Sequence, residues 1–167
     1  MMKTRNSPQS AHACRICLVR HGETAWNTER RLQGHIDIPL NPRGLSQAEA
    51  TARSLARAGE RFAALYSSDL QRARQTADAV ARAHQLAATH DARLRERHYG
   101  VLQGLTFDEA ALHQPQAWQH FKRRDPMVAL DGGGESLAGL AARVLGALEE
   151  IAARHADAIS GLIIESG

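Results

Sequence analysis

The sequence predicts an α/β fold of three layers, α/β/α, around a mostly parallel central sheet. Three observations predict it. Short apolar runs rich in β-formers alternate along the chain with longer stretches of helical periodicity. The 167 residues, 43% of them apolar, suit one domain with a real core. No internal repeat or low-complexity linker divides them. Residues 1–13 are polar and read as a frayed tail, which leaves residues 14–167 for the domain.

The elements follow in order. Residues 15–19 are a short apolar run bounded by Gly22, a buried strand. Asn41, Pro42, Arg43 and Gly44 form a turn. Ser46 and Glu49, at capping-box spacing, open a helix that runs to Arg57. Residues 62–66 are a second strand, ended by Ser67 and Ser68. Asp69 starts a helix to His84 with Leu70, Ala73, Ala77 and Val80 on one face. Residues 86–90 form a third strand, and residues 93–105 are irregular and glycine-punctuated. Residues 106–121 hold short helices broken at Pro115. After the loop Gly132, Gly133 and Gly134 comes a long helix striped by Leu137, Leu140, Val144, Leu148 and Ile151. Residues 161–164 are the last strand. Ligands of such sheets bind beyond the carboxyl ends of the strands.

The formal net charge is +3 and the pI near 9.3. The arginines are spread rather than clustered, and aromatic residues make up only 4%, so there is no stacking platform for nucleic acid. A small anion is the partner this charge suits. No apolar run approaches the roughly 18 residues of a membrane span, and the N-terminus has no apolar signal region. The expected setting is the cytoplasm. Cys14 and Cys17 have the spacing of a redox pair, but they lie in a strand and read as two buried, reduced thiols. The histidines are scattered without the paired spacing of a zinc site, so no metal is expected.

The chemistry concentrates in Leu18-Val19-Arg20-His21-Gly22-Glu23-Thr24-Ala25-Trp26-Asn27. A buried strand delivers Arg20 and His21 to its carboxyl end, and Gly22 allows the backbone to approach a ligand closely. Arginine presents a planar fork of donors to phosphate oxygens. A neutral imidazole beside it can attack phosphorus. Asn27 can donate a further hydrogen bond. Arg72, in the first turn of its helix, is placed as a second anion clamp. Glu96 stands among Arg93, Arg95 and Arg97, which would tend to keep it ionised.

The segment around His21 resembles the signature of the histidine phosphatase superfamily, the group that includes cofactor-dependent phosphoglycerate mutases. The resemblance extends through Arg31-Leu32-Gln33-Gly34 with Asp37-Ile38-Pro39-Leu40, Ser67-Ser68-Asp69-Leu70-Gln71-Arg72, Leu94-Arg95-Glu96-Arg97-His98-Tyr99-Gly100 with Gln103-Gly104, and Gly133-Gly134-Glu135-Ser136. It covers residues 15–164 and implies a phosphoglycerate mutase-like fold.

By this resemblance the catalytic set is His21, Glu96, Arg20 and Arg72. The substrate-binding set is Arg20, Gly22, Glu23, Thr24, Asn27, Gln33, Gly34, Arg72 and Glu96. His21 becomes a phosphohistidine, Glu96 protonates the leaving oxygen and then activates water, and Arg74 is a surface residue. Family members carry a second histidine after the last central strand, in a Ser/Thr-His-Gly context. Ser166 stands there in this chain, and the resemblance implies a domain truncated on its C-terminal side.

Three functions follow as expectations. The first is hydrolysis of a small phosphomonoester, with no cofactor. It is favoured by the short interval between Leu105 and Gly132, which leaves an open pocket. The second is a phosphoglycerate mutase primed by a bisphosphoglycerate. The third is a catalytically impaired protein that binds phosphate or a phosphorylated metabolite. Self-association, a homodimer included, accompanies any of the three.

Overall fold

The computed structural model describes residues 14–156 and the backbone of residues 159–164. Strand β1 (Arg15–Arg20) leads into the short helix α1 (Ala25–Thr28) and then α2 (Pro42–Arg57). Strand β2 (Ala64–Ser67) precedes α3 (Gln71–His84), and β3 (Ala88–His90) follows. Two 3₁₀ turns, Ala92–Leu94 and Gly100–Leu102, lead to α4 (Phe107–His113) and α5 (Pro115–Arg123). Helix α6 (Leu137–Arg154) and strand β4 (Ile159–Ile164) complete the order.

The four strands form one parallel sheet in the order β1-β4-β2-β3. Its two faces follow from the alternation of side chains along a strand. Cys17, Val19 and Leu65 pack with Ala48 and Ala52 of α2 and with Ala73, Ala77 and Val80 of α3. Ile16, Ala64 and Tyr66 point the other way, against Ala147, Leu148 and Ile151 of α6. These are the three layers expected from the sequence. A third cluster, Leu32, Tyr99, Leu102, Ala110, Ala117 and Leu130, carries the loops and α4–α5 that wall the site.

Several boundaries differ from the sequence reading. Helix α2 begins at Pro42, with Asn41 as its N-cap accepting from Gly44 N at 2.8 Å. Proline at the first helical position suits the start, because its missing N–H would be unsatisfied there anyway. Ser46 lies inside the helix, where its hydroxyl donates to Pro42 O. Helix α3 begins at Gln71 after an extended Leu70, and Asp69 instead receives two bonds from Arg95, each 2.6 Å. The second strand is Ala64–Ser67, and Phe62 is a core residue ahead of it. The free thiols of Cys14 and Cys17 are half-buried rather than buried. The expected tail, residues 1–13, and Ser166 lie outside the described residues. Among the described residues no helix is long and apolar enough to cross a membrane.

Candidate active site

The carboxyl end of β1 opens onto a cavity of about 210 Å³. Arg20, His21, Asn27, Gln33, Gly34, Arg72 and Glu96 all line it. Seven of the predicted residues therefore meet in one place, although they come from four separated stretches of chain.

His21 is 7% exposed. Its Nδ1–H donates to Gly22 O at 2.6 Å, which leaves the lone pair on Nε2. Burial lowers the pKa of the imidazole to about 4 against the pull of that hydrogen bond, and the charges of Arg72 and Arg20 lower it further. A neutral, oriented imidazole is the form that can act as a nucleophile at neutral pH.

Arg72 is 1% exposed and occupies the second position of α3. Its guanidinium donates to Gly34 O at 2.7 Å and Ile36 O at 3.0 Å. Those bonds fix the fork beside His21 and tie the loop bearing Gln33 to the start of α3. The carbonyl of Gly34 can serve in this way because the residue has φ +54° and no side chain where Gln103 Oε1 packs. Arg74 is on the surface, as expected.

Glu96 has different surroundings from those its sequence neighbours suggest. Arg93 pairs with Asp91 and Glu150, Arg95 with Asp69, and Arg97 donates its Nε–H to Glu135 O at 2.9 Å. The Glu96 carboxylate accepts from Arg97 N at 2.8 Å. Tyr99 also bonds it. Burial, with the adjacent Glu96 charge, raises the Tyr99 pKa, so the phenol stays protonated.

Three predicted substrate-binding residues have structural partners of their own. Thr24 is wholly buried; its hydroxyl caps α1 and donates toward Gln33 Oε1 at 2.9 Å, so it orients Asn27 and Gln33 from behind. Glu23 accepts from Asn41 Nδ2 at 2.9 Å, faces Arg43, and borders an adjoining hollow that shares Arg20, His21 and Asn27 with the cavity. Gly22 lines the same hollow, and packing also requires it to be small. A Cβ there would stand 2.3 Å from Gly44 O, so the site loop lies directly on the first turn of α2. Gly22 N is held by Thr76 Oγ1 at 3.1 Å.

Sequence reasoning missed Trp26, Arg30, Arg31, Leu32, Tyr99 and Phe107, which complete the wall. Trp26, Arg31, Leu32 and Tyr99 lay within quoted motifs, whereas Phe107, on α4, has no local signal. Among the described residues no group of three or more His, Cys, Asp or Glu side chains is placed to hold a metal.

The family described as histidine phosphatase superfamily (branch 1) matches residues 16–163. The chain belongs to the histidine phosphatase superfamily. Phosphoglycerate mutase-like protein 4 of Arabidopsis thaliana is 40% identical over 156 residues, which cover 93% of this chain and 67% of that protein. The metal-independent phosphoserine phosphatase of Arabidopsis thaliana is 46% identical over 143 residues, 84% of this chain and 59% of that protein. The chain thus spans about three-fifths to two-thirds of the length of these relatives. The solved mycobacterial glucosyl-3-phosphoglycerate phosphatase complexed with VO3 superposes with a TM-score of 0.78 at 32% identity. That superposition covers 89% of this chain and 73% of the other.

Proposed function

We propose that this histidine phosphatase-type site hydrolyses small phosphomonoesters through a phosphohistidine at His21. The observation that carries the reading is the buried, neutral His21, its Nδ1–H fixed on Gly22 O, in one cavity with Arg20, Arg72 and Glu96. Arg20 and Arg72 hold the phosphoryl oxygens. The Nε2 lone pair attacks phosphorus, the ester P–O bond breaks, and protonated Glu96 gives its proton to the leaving alcohol oxygen. The Glu96 carboxylate then takes a proton from water, whose oxygen attacks the phosphohistidine. The P–N bond breaks and inorganic phosphate leaves. Asn27 and Gln33 complete the polar lining.

The similarity to two named phosphatases supports hydrolysis. So does the compact interval after Leu105, which holds only the short helices α4 and α5 and their connections. A mutase is the second reading, favoured by the similarity to phosphoglycerate mutase-like protein 4. Phosphate exchange between positions of a phosphoglycerate, dependent on a bisphosphoglycerate primer, would identify it.

The deciding experiment is hydrolysis of p-nitrophenyl phosphate by this chain beside His21→Ala. Turnover by the wild-type chain that the variant loses is the expected result. Equal turnover in both refutes the phosphohistidine. Phosphate binding without turnover establishes the third expectation, an impaired binding protein.

A further inference from the structure

Arg143 stands on α6, outside the cavity, yet its guanidinium is aimed at the loop that bears Glu96. Its Nε–H donates to Glu135 Oε1 at 2.8 Å. Nη1 donates to Arg93 O at 2.8 Å and Arg95 O at 3.0 Å. Nη2 donates to Glu96 O at 3.2 Å and Glu135 Oε2 at 2.7 Å. A guanidinium has five N–H donors, and each has its own acceptor here. A surface ion pair needs one or two of these. Three bonds to the carbonyls of one short loop make a clamp on its path.

The partner of the clamp is fixed to the same loop. Glu135 Oε2 also accepts from His98 N at 3.0 Å, and Glu135 N donates to His98 O at 2.8 Å. Burial raises the Glu135 pKa, but Arg143 and the His98 N–H outweigh it and hold the carboxylate below its ordinary range. On the other side of the loop, His35 Nε2 is 2.8 Å from Glu96 O, a bond that the neutral Nε2–H tautomer donates. Burial lowers the His35 pKa and favours that neutral form.

We infer that Arg143 is a positioning residue for Glu96. It sets the backbone of residues 93–96, and so the place where the Glu96 carboxylate meets the leaving oxygen. Lysine cannot replace it. An ammonium has three donors on one nitrogen and cannot reach five acceptors spread across a plane. This inference rests on the hydrolytic reading above.

The test compares two esters in wild type, Arg143→Lys, Glu135→Gln and Glu96→Gln, each checked for a cooperative urea transition. p-Nitrophenyl phosphate has a leaving group that needs little proton assistance. O-Phosphoethanolamine has an alkoxide leaving group that needs much. A displaced general acid should lower kcat/KM, which reports formation of the phosphohistidine rather than its shared hydrolysis, by roughly ten-fold or more on the alkyl ester and by much less on the aryl ester. The inhibition constant of inorganic phosphate should stay within about two-fold, because Arg20 and Arg72 still hold the phosphate. Glu96→Gln should give the same asymmetry more strongly. Glu135→Gln, which loosens the clamp while leaving Arg143 in place, carries the test if Arg143→Lys fails to fold. Equal loss of kcat/KM on both esters, or no loss, in the folded variants overturns the assignment and leaves the hydrolytic reading standing. No turnover by the wild-type chain overturns that reading, and the assignment with it.

Discussion

His21 differs from an exposed histidine chiefly in burial, and that gives a prediction in pH. An ordinary imidazole is about nine-tenths protonated at pH 5.5. His21, with its pKa lowered to about 4, should be almost wholly neutral there. An NMR titration of its ring carbons, assigned by their loss in His21→Ala, should therefore have a midpoint near 4. A midpoint near 6.5 would mean that water reaches the ring. The same shift fixes a sign for stability. Between about pH 6.5 and 4 the unfolded chain binds a proton on this residue that the folded chain does not. The contribution of His21 is complete above pH 6.5 and is lost as the pH falls to 4, an effect of at most about 3 kcal/mol. Wild type should accordingly lose more of its urea midpoint than His21→Ala over that window. The sequence made the residue visible, because an Arg-His-Gly run at a strand end is rare chemistry in a short space. It could not show the tautomer, which depends on the carbonyl direction of Gly22.

Between elements, the tightest joint is where the site loop meets α2. A Cβ on Gly44 would stand 2.0 Å from Glu23 O and 2.7 Å from Glu23 N, backbone atoms that cannot swing aside. Gly44→Ala should therefore cost about 1–3 kcal/mol by overpacking and should displace the loop holding His21, so its urea midpoint and its activity fall together. Gly146, in the middle of α6, has open space where its Cβ would go. Gly146→Ala should raise stability by roughly 0.5–1 kcal/mol and leave activity alone. If both variants lose stability, the contrast drawn here between close-packed and open glycines fails.

The joint also explains what sequence could and could not reveal. Strands β1 and β3 and helices α3 to α6 were legible because each has its own local pattern of apolar residues or breakers. The start of α2 was misplaced because Ser46 and Glu49 have capping-box spacing inside a helix as well as at its start, and Pro42 marks the true start. The surroundings of Glu96 were misread for a different reason. Neighbouring arginines can point to distant acceptors, and here Arg95 reaches Asp69, Arg93 reaches Glu150, and Arg97 reaches the backbone carbonyl of Glu135. Arg143 gave no signal at all, since three of its five acceptors are backbone carbonyls about fifty positions away and the other two are the carboxylate oxygens of Glu135, eight positions away.

The whole molecule converges on the cavity. Arg20 comes from β1, Gln33 and Gly34 from a loop, Arg72 from α3, and Glu96 from a loop clamped to α6. A ligand that engages these groups ties together segments separated by most of the chain, and it can do so only in the folded state. Binding must then stabilise folding by mass action, by about 2.7 kcal/mol when free ligand exceeds its Kd a hundred-fold. For a chain of 167 residues that corresponds to a rise in melting temperature of about 5–10 °C. Inorganic phosphate is the simplest probe, with sodium chloride at matched ionic strength to remove general screening. Arg20 is an exposed residue at the rim of the cavity, so Arg20→Gln should change the ligand-free melting temperature little. Losing one charged hydrogen-bonding partner should weaken phosphate binding by about ten-fold and cut the shift at the same concentration roughly in half. An equal shift in wild type and Arg20→Gln would place the phosphate elsewhere on this basic surface. An equal shift with chloride would show that the effect is screening rather than a site.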